Sequence, residues 1–218
     1  MGDPVRKAEL FDGFAQVGKA LASPKRLELL DLLAQGERSV ELLATRAGLG
    51  LTTASSHLQV LRQSGLVATR KDGTKVYYRL SGADVAGLWT QLRSVAAAHL
   101  AEVDRARAAY VGDDDVMEVT RDELLRRLEI GDVTVIDVRP GEEYAAGHIP
   151  GAASLPLDEL ADRLADLPRD STIVAYCRGA YCAMAHEAVR RLLAEGLRAV
   201  RLGDGMLEWR LADQPVAV

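Results

Sequence analysis

The chain has 218 residues, 48% of them hydrophobic and 27% charged, which excludes disordered, fibrous and low-complexity classes and allows one large domain or two small ones. Its longest unbroken apolar run, residues 180–185, falls far short of the ~20 residues that a membrane helix needs; the first seven residues mix both charge signs and contain no apolar signal core, so a cytoplasmic protein with no membrane partner is expected. The net charge of −5 conceals a split, because residues 1–110 hold 15 Lys/Arg against 11 Asp/Glu whereas residues 111–218 hold 12 against 21, an asymmetry expected when one half meets a polyanion.

In chain order, Ser23 before Pro24 predicts a helix start, since the serine can cap and proline at the first helical position loses no hydrogen bond. This helix carries Leu27, Leu29, Leu30, Leu32 and Leu33 to about Gln35 and stops at Gly36. A short helix from Ser39 presents Leu42, Leu43 and Ala47 and ends at Gly48 and Gly50. A third, beginning near Thr52, buries Ala54, Leu58 and Leu61 and leaves Thr52, Thr53, Ser55 and Ser56 as a small polar face, with His57, Gln59 and Arg62 as hydrogen-bond donors. Residues 66–70 and 74–80 then flank Asp72-Gly73, a two-residue hairpin signal. Lys71 and Lys75 mark its tip, and Arg70 and Arg79 lie nearby.

Helix, turn, helix and basic hairpin in this order resemble a winged helix-turn-helix, and residues 51–65 followed by the wing are similar to the ArsR/SmtB family of bacterial transcription factors over roughly residues 9–108. The resemblance implies a homodimer that binds double-stranded DNA, with the helix at residues 52–63 in the major groove. That groove admits one helix, short hydroxyl side chains let the backbone approach, and Gln59, His57 and Arg62 can reach bases or phosphates while Arg70, Lys71 and Lys75 contact the backbone. The alternative is a solvated surface helix with a packed His57. From Ser81 to about Tyr110 a single helical pattern carries Val85, Leu88, Trp89, Leu92, Val95, Ala96, Leu100 and Val103, a stripe that so small a domain cannot cover alone. A partner helix is therefore expected. The family pairs its last helix with its first, and Leu10, Phe11, Phe14, Val17 and Leu21 suit that role. Its metal sites do not carry over: residues 38–43 lack cysteine, Asp84 is followed by Ala86, and His99 with Glu102 is out of register. No metal or cofactor is expected.

The charge changes over at residues 112–115, which predicts a domain boundary between residues 1–110 and 111–218. In the second half Thr120 caps a helix to Leu128, followed by a strand at 133–136, a strand at 153–155, a helix near 157–165, a strand at 172–176, a helix at 183–195 and a strand at 199–202. Alternation of this kind predicts an α/β domain with a parallel sheet, beside a mainly α amino-terminal domain. Ligands of such sheets bind beyond the carboxyl ends of the strands.

Cys177 occupies such an end. The loop Cys177-Arg178-Gly179-Ala180-Tyr181-Cys182 joins strand to helix, so its N–H groups, the helix amino terminus and the Arg178 charge are all expected to favour a low-pKa nucleophilic thiolate. A buried inert cysteine is the alternative. The stretch 137–152, from Asp137-Val138-Arg139 through His148-Ile149-Pro150-Gly151-Ala152, and the later Gly203-Asp204-Gly205-Met206-Leu207-Glu208-Trp209 resemble signatures of the rhodanese sulfurtransferases over roughly residues 116–212. The resemblance implies that Cys177 takes a sulfane sulfur from a small donor, thiosulfate or a persulfide, within a loop formed by Gly179, Ala180 and Tyr181. It also implies that Asp137 and Arg139 brace the site. Two departures from the family pattern stand out, since Gly179 is second rather than third after the cysteine and Cys182 closes the loop. Ala183 replaces the arginine that a cysteine phosphatase would require. Cys182 either resolves a Cys177 persulfide or only fills the helix start. The whole chain reads as a DNA-binding regulator that senses or processes reactive sulfur, with a sulfurtransferase localised by its DNA-binding half as the alternative.

Overall fold

The computed structural model describes residues 3–112 and 116–218, and the chain separates into one unit ending at Gln91 and a second beginning at Leu92. Residues 113–115, within the expected boundary, lie outside the described residues.

In the first unit Asp3 caps α1 (Pro4–Leu21) by accepting from Val5 N at 2.9 Å. Helix α2 (Pro24–Ala34) starts at the predicted proline, but Ser23 makes no side-chain cap bond. The pre-set φ of Pro24 is sufficient to enter the helix. A short strand β1 (Arg38–Ser39) leads into α3 (Val40–Arg46), which Ser39 caps through Leu42 N. Helix α4 (Leu51–Gln63) buries Ala54, Leu58 and Leu61 completely, the two leucines in one core with Leu29, Leu30, Leu43 and Tyr78. Strands β2 (Val67–Asp72) and β3 (Lys75–Leu80) complete an antiparallel sheet in the order β1-β3-β2. Asp72 pairs with Lys75, so the turn consists of Gly73 and Thr74 rather than Asp72 and Gly73. Gly73 takes the positive φ of +57° that such a turn requires.

The expected thirty-residue helix is instead two: α5 (Ala83–His99) and α6 (Ala101–Val111), divided at Leu100, whose φ −119° and ψ 100° are extended. Neither glycine nor proline marks this break, which is why periodicity ran through it. In the first unit Trp89 of α5 donates to Asp31 Oδ1 at 3.0 Å. Val17 and Leu21, expected to face a partner, pack on their own core, while Leu10, Phe11 and Phe14 are exposed.

The second unit has a five-stranded sheet in the order β4-β8-β7-β5-β6, every pair parallel. Its elements are β4 (Glu118–Val119), α7 (Arg121–Ile130), β5 (Val133–Asp137), α8 (Gly141–Ala145), β6 (Ala153–Ser154), β7 (Thr172–Tyr176), α9 (Ala183–Ala194), β8 (Ala199–Leu202) and α10 (Met206–Leu211). The predicted helix near 157–165 is only a 3₁₀ segment, Ala161–Asp166. Strand β6 falls where the sequence predicts one, whereas strand β4 and helices α8 and α10 span six residues or fewer and give too little period to be read from sequence. Thr120 caps α7 through Glu123 N, as its position predicts. Central strand β7 is buried from Ile173 to Tyr176 by residues from β5, α9 and α10, and it delivers Cys177 to the carboxyl end of the sheet.

Candidate functional site

The register that sets Asp137 of β5 beside Tyr176 of β7 fixes the floor of the site. Asp137 and Arg139 are fully buried and joined by an Nη2–Oδ2 contact of 2.5 Å. The Tyr176 hydroxyl donates to Asp137 Oδ2 at 2.7 Å and accepts from Ile149 N at 3.1 Å, and Arg139 also donates to Gly147 O at 2.9 Å. A buried charge is tolerated only when it is paired and its remaining hydrogen bonds are made; here that network clamps the residue preceding Cys177. Asp137 and Arg139 therefore brace this end of the sheet. His148 stacks on Tyr144 at 3.7 Å between ring centroids and interacts through Nδ1 with Tyr144 O at 3.1 Å.

Above this floor the loop after β7 is held from behind by the 203–208 segment. Met206 N donates to Cys177 O at 2.9 Å and Leu207 N to Arg178 O at 3.1 Å. A Cβ on Gly205 would stand 2.1 Å from Gly179 N, so only glycine allows this backbone approach. Tyr181 reaches the Arg93 guanidinium, 5.4 Å from its ring centroid.

The cysteine chemistry departs from the sequence expectation. Cys177 is buried, and burial is the chief cause that pushes its thiol well above the usual cysteine range. N–H groups of Gly179 and Ala185 pull in the other direction without overcoming burial. The Cys177 thiol approaches Cys182 O at 3.5 Å and also hydrogen-bonds the Cys182 side chain. That second bond is the chief cause that lowers the Cys182 thiol, followed by backbone N–H groups of Arg178 and Met184 and by the Arg178 charge. Arg178 does not serve Cys177: its Nη2 lies 2.6 Å from Glu143 Oε1, and Glu143 is itself buried. The two thiols are thus pushed in opposite directions, Cys177 up and Cys182 down, with Cys182 at the cap position of α9.

In the first unit Thr52, Thr53, Ser56 and Arg62 lie exposed along α4, and Ser55, His57 and Gln59 are half-buried. Gln59 Nε2 donates to Tyr78 OH at 3.3 Å. Arg70 is likewise engaged by Glu37 at 2.8 Å and by Asp72 at 3.3 Å, and it stacks on Tyr77. Lys71 and Lys75 are exposed.

Sequence reasoning assigned no role to Glu143, Tyr176, Glu208 or Arg93. Their partners are 35, 39 and 115 residues away along the chain, a separation that no local spacing reveals.

Comparison with known proteins places two families on the chain. A rhodanese-like domain matches residues 120–212, and the arsR family of bacterial regulatory proteins matches residues 23–69. The HTH-type transcriptional regulator Rv0324 of Mycobacterium tuberculosis is 58% identical over 215 residues, covering 99% of this chain and 95% of that protein. A sulfurtransferase of Allochromatium vinosum is 32% identical over 103 residues, 46% of this chain and 94% of its own length. The solution structure of the homodimeric winged helix-turn-helix DNA-binding domain Mb0332 from Mycobacterium bovis is 54% identical over 47% of this chain and 94% of its own, with a TM-score of 0.44.

Proposed function

Because the chain belongs to the HTH-type transcriptional regulators that join an arsR-family DNA-binding segment to a rhodanese-like domain, we propose that it is a cytoplasmic homodimeric repressor whose operator binding responds to sulfane sulfur carried on Cys177. The observation that carries this reading is the cysteine pair, a buried thiol hydrogen-bonded to a second sulfur of lowered pKa at the end of a parallel strand.

The chemistry follows from that pair. Cys177 attacks the terminal sulfur of a small donor while its thiol proton passes to the Cys182 thiolate. A Cys177 S–S bond forms, and the donor's sulfur–sulfur bond breaks to release sulfite from thiosulfate, or the parent thiol from a persulfide. A second attack by Cys182 on the Cys177 sulfur of the persulfide, its acquired proton passing to the outer sulfur, gives a disulfide and expels hydrosulfide, which removes the negative charge from the loop. Gly179, Ala180 and Tyr181 line this loop, and Asp137 and Arg139 hold the strand end below it. At the other end of the chain, Thr52, Thr53, Ser55, Ser56, His57 and Arg62 of α4 face the major groove. Lys71 and Lys75 of the wing contact phosphates, and Gln59 and Arg70 hold the wing to the rest of the motif. Exposed Leu10, Phe11 and Phe14 of α1 and Leu88 and Val95 of α5 supply apolar surface for a second copy. The functional domains divide at residues 110 and 111.

The A. vinosum relative favours a second reading, sulfur transfer as the primary activity with DNA binding serving localisation. A titration of the full chain on its own promoter, with and without glutathione persulfide, separates the two. The regulator reading expects a mass gain of one sulfur on Cys177 together with at least a tenfold change in DNA affinity, about 1.4 kcal/mol. Loading and transfer with unchanged affinity establish the enzyme reading instead. A Cys177→Ser protein that keeps full transfer activity overturns both.

A further inference from the structure

The second unit begins at Leu92, so the last turns of α5 belong to it. Arg93 lies there, and its Nη2 is 2.5 Å from Glu208 Oε1. Both side chains are largely removed from water, at 12% and 17% exposure. Glu208 does not serve Arg93 alone. Its other oxygen accepts from Gly205 N at 3.0 Å, closing the first turn of α10, and this is the turn that donates to the carbonyls of Cys177 and Arg178. The carboxylate also presses against the sulfur loop, since a Cβ on Gly179 would lie 3.0 and 3.1 Å from its two oxygens and 3.4 Å from Arg93 Nη1. The guanidinium lies 5.4 Å from the Tyr181 ring centroid, a cation–π distance.

We propose that Arg93 is a positioning residue of the sulfur loop, fixing the Gly179–Tyr181 turn from α5 through its ion pair with Glu208 and its contact with Tyr181. The pair does two things there. It shapes the turn, because the Glu208 carboxylate lies so close that a Cβ at 179 would stand 3.0 and 3.1 Å from its oxygens. It also sets the local potential, because each partner's charge cancels the other beside the loop that holds both thiols. The other charged and titratable groups around the loop are Arg178 paired with Glu143 of α8, and His186 of α9, whose Nδ1 is 3.3 Å from Cys182 O. Every residue of this assignment belongs to the second unit. Its meaning for regulation rests on the sulfur-sensing reading above, but the test needs no sulfur donor, so the two fail separately.

The test is the pH profile of Cys182 alkylation by iodoacetamide in the full chain, read by mass spectrometry. Arg93→Met leaves the Glu208 carboxylate uncompensated beside the loop, which opposes thiolate formation and raises the midpoint. Glu208→Gln leaves Arg93 uncompensated, which lowers it, while glutamine can still accept from Gly205 N. Each shift is expected to be roughly half a pH unit, or about threefold in rate on the rising limb. Arg93→Lys keeps the charge and stays near the parent profile. A merely structural role moves both variants in the same direction, so opposite shifts support the proposal. Superposed profiles, or shifts of one sign, overturn it. If Arg93→Met does not fold, the nearly isosteric Glu208→Gln decides alone, and a midpoint that fails to fall overturns the assignment.

Discussion

Cys177 directs its thiol at the main-chain carbonyl of Cys182, sulfur to oxygen 3.5 Å, from a position where solvent barely reaches it. Sequence placed these two residues at opposite ends of one loop. The fold gives them opposite tendencies, with burial holding the proton on Cys177 and the hydrogen bond from Cys177 drawing it off Cys182.

Their reactivities should therefore invert the order expected from sequence. At a given pH a thiol with lowered pKa is thiolate to a greater extent than an ordinary cysteine, and one with raised pKa to a lesser extent. At pH 7 iodoacetamide is expected to label Cys182 before Cys177 by tenfold or more. Cys177→Ala removes the donor to Cys182, so the Cys182 midpoint should move upward. Peptide mass spectrometry across a pH series checks both statements, and equal labelling of the two residues contradicts them.

The buried ion pairs should be costly to break singly. Replacing Asp137 by Asn removes the carboxylate 2.5 Å from the fully buried Arg139, and Arg178→Ala removes the guanidinium 2.6 Å from Glu143. Each is expected to destabilise the second unit by about 3–5 kcal/mol. The double replacement of Asp137 and Arg139 by apolar residues of similar volume should recover most of that loss. Urea unfolding, followed by a probe in the rhodanese-like half such as Trp209, measures the difference.

On the wing, Lys71 and Lys75 are exposed, whereas Arg70 is already paired with Glu37. Replacing both lysines by alanine should weaken binding to all sequences alike and reduce the slope of log affinity against log salt by about 2. Replacing Arg70 should change that slope less, because much of its charge is spent within the wing. Ser56→Ala should instead alter discrimination between operators. Fluorescence anisotropy from 50 to 300 mM salt separates these cases.

The apolar residues left exposed on α1 should decide assembly. Phe14 is 62% exposed and packs edge-to-face with Phe11 at 5.8 Å. Phe14→Glu is expected to yield a monomer by sedimentation and to lower operator affinity at least a hundredfold, since one copy reads only half of a two-fold site. Its melting temperature should stay within a few degrees of the parent, because Phe14 is not part of the unit's own core.

Local signals along the chain place most of the long elements and separate an arsR-type half from a rhodanese-like half. Strands β7 and β8 occupy the residues predicted for them, 172–176 and 199–202, α4 buries the three residues its period selects, and Cys177 stands at a strand end because strand and helix signals meet there. These are local properties, fixed by spacing and by the turn chemistry of glycine and proline. The tertiary structure decided the state of the groups so placed. Arg178 neutralises Glu143 instead of serving Cys177, Gln59 is tied to Tyr78, and the long carboxyl-terminal helix of the regulatory half breaks at Leu100. Charge and burial depend on partners that the chain brings together from 19 to 115 residues away. A thiol's pKa or a carboxylate's counter-ion is therefore set only when the sheet and its covering helices have closed around it.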